Sequence, residues 1–195
     1  HLLPIFQWPK VIQPVEIGHF VIRTREVAPL VTYYKMFFGA KVAAETHPIT
    51  FLTYDDEHHR LAIILDPSAV PKPTGRPPPP TCGFDHLAFT VPSVGHLLRS
   101  YRQRRDAGLT PAYCLDHGMT LSMYYVDPDG NKVELQADCF ESKADAVRFM
   151  GTKVFAANPR GVQYDPDELL QRLEAGETEA GLLAGMLGRK TIANL

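Results

Sequence analysis

The chain has 195 residues, 45% hydrophobic and 22% charged, which excludes wholesale disorder and a fibrous repeat and leaves enough length to bury a sizeable core. Lys plus Arg (20) nearly balances Asp plus Glu (22), and the formal net charge of -2 lacks the basic excess that nucleic acid or an anionic membrane demands. Apolar runs such as Leu61 to Leu65 are too short to span a bilayer, no charged-then-apolar leader precedes the first strand-like segment, and Cys82, Cys114 and Cys139 form no CxxC pair, so a soluble protein of the reducing cytoplasm is expected.

Residues 1–14 read as an N-terminal arm. The first strand-like run is Gly18 to Thr24, with His19 in its second position. A helix is predicted next, because Leu30, Val31, Tyr34, Phe37 and Phe38 fall on one face, with Pro29 in the first turn and Gly39 as C-terminal cap. Three strands are expected around Lys41 to Thr46, Ile49 to Tyr54 and His59 to Leu65, with Asp55 to Glu57 as a turn. Residues 15–70 form this first module. Residues 71–81 hold a run of prolines that cannot supply interior strand donors, and they read as a stiff, extended linker.

The same order then returns. Asp85 to Val91 is strand-like, again with His in second position at His86. Ser93 is the expected N-cap of a helix carrying Val94, Leu97, Leu98 and Tyr101, which Gly108 ends. Strands follow around Thr110 to Leu115, Thr120 to Val126 and Lys132 to Ala137, with Asp127 to Gly130 as a hairpin turn. Residues 82–140 are therefore a second module, and both modules read βαβββ. Residues 141–195 differ from either: Leu169, Leu170 and Leu173 recur at helical spacing and a glycine-interrupted run, Leu182 to Leu187, follows. This partly helical extension is expected to pack over the barrel or against another copy in a homo-oligomer.

One such module is too thin to bury both faces of a curved sheet. The expected fold is therefore α+β, with two βαβββ modules of residues 15–140 paired into one pseudo-symmetric domain, an open barrel-like sheet around a cavity.

Strand alternation puts Ile17, His19 and Val21 on one face, and Phe84 and His86 on the equivalent face of the second module. Each histidine alone also fits a hydrogen-bonded core or rim residue. Glu134, read by itself, fits a charge on a solvated strand face, since Val133 and Leu135 supply the apolar side. In a closed-up barrel the polar face lines the cavity, and His19, His86 and Glu134 then make a two-His, one-carboxylate set that suits non-haem Fe(II) with open positions. Aligning Arg60 to Ile64 with Lys132 to Gln136 puts Ala62 opposite Glu134, so the fourth ligand that symmetry would allow is missing.

These residues carry a family resemblance. Residues 15–140 resemble the vicinal oxygen chelate superfamily, which includes glyoxalases, bleomycin-resistance proteins, fosfomycin-resistance enzymes and extradiol ring-cleaving dioxygenases. The nearest pattern is that of the type I extradiol dioxygenases: His117, five residues, Met123-Tyr124, two residues, Asp127-Pro128, one residue, Gly130, three residues, Glu134. Leu115 departs from it, standing where the pattern prefers Gly, Asn, Thr, Ile or Val. The resemblance implies His19, His86 and Glu134 as ligands of Fe(II), with Mn(II) as the alternative metal. It implies catalytic roles for His117 and Tyr124, and for a histidine before a short strand containing Ala, which His59 fits and the adjacent His58 contests. Surface placement of His58 and His59, and a core role for Tyr124, stay open at this point.

The implied reaction is cleavage of a catecholic ring by O2, beside rather than between its two hydroxyls. A metal-dependent lyase or isomerase of the same superfamily is the alternative, and a module that sequesters an aromatic ligand without catalysis is the third reading.

Overall fold

The computed structural model describes residue 12, residues 14–72 and residues 82–192. Most of the expected N-terminal arm and of the proline-rich linker therefore lies outside the described residues. The first sheet holds β1 (Phe20–Thr24), β2 (Lys41–Thr46), β3 (Ile49–Thr53) and β4 (Leu61–Leu65), with helix α1 (Val27–Phe38) between β1 and β2. The second holds β5 (His86–Thr90), β6 (Tyr113–Asp116), β7 (Thr120–Val126) and β8 (Lys132–Asp138), with α2 (Val94–Asp106) after β5. Strand order is β1-β4-β3-β2 in one and β5-β8-β7-β6 in the other, so each helix carries the chain across its sheet before three antiparallel strands bring it back beside the first. The sheets stay separate and open, which makes the fold the expected α+β pairing of two βαβββ units.

The repeat extends to register. Phe20 faces Leu61 and Val21 faces Ala62 across the parallel β1–β4 pair; Leu87 faces Val133 and Ala88 faces Glu134 across β5–β8. One pattern of alternation therefore governs both sheets. Side chains of one parity face the helices: Leu30, Tyr33, Tyr34 and Phe37 of α1 and Val94, Leu97, Leu98 and Tyr101 of α2 are buried there, at the i, i+3, i+4, i+7 spacing of a core-facing stripe. Ser93 caps α2 by accepting from the His96 backbone N–H, and Gly39 ends α1 at φ 68, a left-handed conformation that glycine adopts without a Cβ penalty.

An aromatic seam joins the two modules. Phe37 meets Tyr125 edge to face at 5.0 Å between centroids, and Phe89 packs on Phe38 at 4.6 Å and on Phe20 at 5.8 Å. At its centre the buried Tyr34 hydroxyl donates to Asp127 Oδ2 at 2.9 Å. Asp127 also accepts from the backbone N–H groups of Asp129 and Asn131 and from the Asn131 amide. The turn between β7 and β8 is thus tied directly to the helix of the other module. Burial first, and then the Asp127 charge, push the Tyr34 phenol far up, so it remains a donor.

The C-terminal extension contains more structure than its leucine spacing predicts. Helices α3 (Lys143–Met150), α4 (Lys153–Ala157), α5 (Pro166–Glu174), α6 (Glu179–Ala184) and α7 (Leu187–Ile192) surround a two-residue strand, β9 (Val162–Gln163). β9 pairs antiparallel with β6 and becomes the fifth strand of the second sheet. Arg105–Asp167 and Arg102–Glu174 ion pairs, each 2.6 Å, lay α5 along α2. No helix among the described residues is long and apolar enough to cross a membrane.

Replacing Tyr34 by Phe keeps the packing but withdraws one of four donors from a buried carboxylate, and is expected to cost about 2 kcal/mol. Urea denaturation of the two proteins measures it; an unchanged midpoint would show that the bond does not hold the modules together.

Candidate metal and active site

The site grows out of two strand pairings. Because β5 and β8 run parallel with Ala88 opposite Glu134, His86 and Glu134 emerge on the same face one step apart. Because β7 and β8 run antiparallel with Tyr124 opposite Glu134, and β6 and β7 with Tyr113 opposite Tyr124, the row continues across the sheet. Tyr113 stacks on Tyr124 at 4.5 Å and 20°. The turn after β6 then brings His117 over the row.

The resulting contacts are short. His86 Nε2 lies 2.8 Å from Glu134 Oε2, and His117 Nε2 lies 2.9 Å from the Tyr124 hydroxyl. Tyr124 also stands directly opposite Glu134 across the β7–β8 pair. The Tyr124 hydroxyl and His117 Nε2 thus share one hydrogen bond, whose direction follows the imidazole tautomer. Burial first, and then the Glu134 charge, push the Tyr124 phenol up, so it stays protonated and keeps its donor. On the outer side of His86, its Nδ1 is 3.2 Å from Asp85 Oδ1. Hydrogen bonds from Lys132, at 2.8 Å, and from His86 hold the Asp85 carboxyl below its usual range.

Glu134 is only 4% exposed. A carboxylate withdrawn from water at that depth requires a cation or several donors, and its neighbours are an imidazole and a phenol. Two donor atoms each about 2.1 Å from one cation sit about 3 Å apart when they are adjacent ligands. The 2.8 Å separation of His86 Nε2 and Glu134 Oε2 is of that order, and the imidazole–carboxylate chemistry suits a divalent transition metal.

His19 and His59 are placed elsewhere. His19 is exposed just ahead of β1, and its ring centroid is 4.5 Å from that of the partly buried His59. His59 also packs edge to face on Phe51 at 5.0 Å, and its Nδ1 faces His58 Nδ1 at 2.6 Å. His58 itself is largely exposed and sits 3.4 Å from Glu57. Burial first, and then the neighbouring His19 and His58, hold the His59 imidazole below its ordinary value. The structure therefore brings His86, Glu134, Tyr124 and His117 together on one sheet face and pairs His19 with His59. Among the described residues, no three His, Cys, Asp or Glu side chains form a ready-made metal cage.

Arg60, which the sequence marks only by its alignment with Lys132, explains the second pairing. Its Nη1 donates to the carbonyls of Ile17 and Gly18 at 2.8 and 3.1 Å, while Nε and Nη2 reach Asp55 at 2.9 Å and Glu16 at 3.1 Å. The guanidinium thus anchors the backbone before His19 to the residue after His59. Its place directly beside His59 at a strand entrance was the available signal. The carbonyl partners are set by folding and carry no pattern of their own.

The family model for the glyoxalase/bleomycin resistance protein/dioxygenase superfamily matches residues 16–135. A biphenyl-2,3-diol 1,2-dioxygenase 3 of Rhodococcus globerulus is 36% identical over 90% of each chain, and a biphenyl-2,3-diol 1,2-dioxygenase 2 of the same organism is 37% identical over 83% of each. In fold, a glyoxalase/dioxygenase from Nostoc punctiforme superposes with a TM-score of 0.52 over 66% of this chain and 97% of its own, at 16% identity. A match from before β1 into β8, with relatives of this identity over nearly the whole length, establishes that the chain belongs to the glyoxalase/bleomycin resistance protein/dioxygenase superfamily.

Proposed function

We propose that the chain, an enzyme of the extradiol dioxygenase type, cleaves a catechol that carries a second aromatic ring, using O2 and a divalent iron whose ligands would be His86 and Glu134, which lie in contact, and His19, which stands beside His59 and would have to move to the metal. The observation that carries this reading is the buried Glu134 carboxylate, in contact with His86 Nε2 and opposite a Tyr124 that is hydrogen-bonded to His117. Near full-length similarity to two biphenyl-2,3-diol 1,2-dioxygenases supports both the reaction and the substrate class. Mn(II) is the alternative metal, since nothing in an imidazole–carboxylate set discriminates strongly between the two.

Iron bound there would supply adjoining positions for the two catechol oxygens and O2, and a path for electrons between them. The protein supplies the rest. Tyr124, kept protonated by burial and by Glu134, offers its O–H to a deprotonated substrate oxygen. His117 steadies that phenol and presents an imidazole where negative charge develops on oxygen. His59 takes and returns a proton at the substrate. Its Nδ1 is engaged by His58, which leaves Nε2 as the exchanging atom.

A cavity of about 400 Å³ lies between the modules, bordered by His19 and by the rings of Phe38, Tyr54 and Phe89. It opens beside His19 rather than beside His86, and its aromatic walls and size suit an aryl substituent.

Three outcomes are expected. His86→Ala and Glu134→Ala each remove a donor and should lower bound metal at least tenfold by elemental analysis; unchanged occupancy in both would remove the proposed ligands. His59→Gln should retain metal and catechol yet lose turnover by roughly 100-fold, whereas His58→Gln should turn over nearly normally; the reverse result assigns the proton transfer to His58. With labelled O2 and biphenyl-2,3-diol, both atoms should enter a ring-opened product, apart from carbonyl exchange with water. Turnover under strict anaerobiosis would instead indicate a lyase or isomerase, and recovery of unchanged ligand a sequestering module.

A further inference from the structure

The C-terminal extension closes around one turn of the domain, and that turn carries His117. Asp116, the last residue of β6, is 3% exposed. Its Oδ1 accepts from the Gly118 backbone N–H at 2.7 Å, and its Oδ2 accepts from the Leu187 backbone N–H at the start of α7, also at 2.7 Å. One buried carboxylate therefore bridges both sides of His117 and the far end of the chain. The His117 backbone N–H is itself bound to Thr120 O at 2.9 Å, which closes the turn from the other direction.

Three glycines show how tightly the extension is fitted there. Gly161, at φ +79 beside β9, lies so close that a Cβ would overlap the Asp116 carbonyl and come within 2.9 Å of His117 Cα. A Cβ on Gly188 in α7 would overlap the Gly118 carbonyl, and one on Gly118, at φ +83, would overlap the Phe149 ring of α3. Backbone thus meets backbone on two sides of the turn and an aromatic ring fills the third. β9 adds the pairing of Asp116 with Val162 and of Leu115 with Gln163. Such close approach leaves the turn little freedom, and the His117 imidazole is delivered to Tyr124 at 2.9 Å by a backbone held from outside the repeat.

We propose that the C-terminal extension is the positioning element for His117, acting through Asp116 and the glycine contacts of Gly161 and Gly188. Asp116 is buried and the glycines carry no side chain. They act by fixing where the imidazole meets Tyr124. The proposal rests on the dioxygenase reading for its kinetic consequence, but its structural content stands independently of the reaction.

The test uses the full chain with Asp116→Asn, Gly188→Ala and Gly161→Ala. Asp116→Asn keeps the size of the side chain and turns one acceptor into a donor facing a backbone N–H, while the alanine variants push the extension away from the turn. All three should keep metal content and catechol affinity near those of the starting protein while kcat falls about tenfold. Combined with His117→Asn, Asp116→Asn should add little further loss, because both act on one group. A second measurement needs no turnover: in side-chain NMR of labelled protein, the His117 imidazole signals should shift in the variants that fold, with those of His19 unmoved. Equal loss of kcat in the presence and absence of His117, or His117 signals unchanged by Asp116→Asn, would overturn the proposal. If the parent protein opens no catechol but the His117 signals move, the positioning role stands and the assigned reaction falls.

Discussion

The candidate site depends on the register of one parallel strand pair. With Ala88 opposite Glu134, the Glu134 side chain shares the open face of the sheet with His86, and Tyr124 follows because β7 pairs with β8 at that same residue. A slip of one residue would send Glu134 into the apolar layer under α2 and bring Val133 or Leu135 to the face that bears His86. Such a slip is costly, since Val133 and Leu135 are both buried core residues and a carboxylate in their place would have no donors. The hydrophobic pattern of β8 thereby specifies where the charge stands.

The same register occurs in the first sheet with a different outcome. Val21 faces Ala62 where Ala88 faces Glu134, so the two sheets offer equivalent frames and only one carries a carboxylate. Ala62 is buried and needs no partner. Glu134 is equally buried, and its imidazole and phenol neighbours come from strands on either side of it. Repetition of the backbone with divergence of a single side chain concentrates ionic chemistry on one half, and the other half contributes His19, His59 and apolar walls.

Much of this was legible in the sequence, for identifiable reasons. Both helices were readable because Leu30, Tyr34 and Phe37, and Leu97, Leu98 and Tyr101, fall on single faces with Gly39 and Ser93 at their ends. The proximity of Glu134 to Tyr124 and His117 was implied by the resemblance of residues 117–134 to the dioxygenase pattern, and the register that sets Tyr124 opposite Glu134 accounts for it. The pairing of His19 with His59 was not readable, because it depends on Arg60 reaching carbonyls more than 40 residues away, a contact without any signature in side-chain periodicity. Nor was β9: two residues are too few to show alternation, and its strand character comes entirely from the edge it covers.

That edge connects the extension to the chemistry. At the free end of the first sheet, β2 is exposed along all 6 residues, and its pairing with β3 is interrupted by a register shift between Val42 and Ala44. A bulge with Lys41 and Glu45 on the strand discourages pairing with another chain. The second sheet solves the corresponding problem at β6 by covering it with β9 and the helices around it. The two solutions have different mechanical consequences. A bulged, charged edge is left to solvent and can fluctuate, whereas a covered edge is clamped, and β6 ends in Asp116 and the turn that carries His117. The half of the fold that holds the buried carboxylate is thus also the half whose outer antiparallel strand is covered. A hydrogen bond between His117 and Tyr124 benefits from that arrangement, because its strength falls steeply once donor and acceptor lose their alignment.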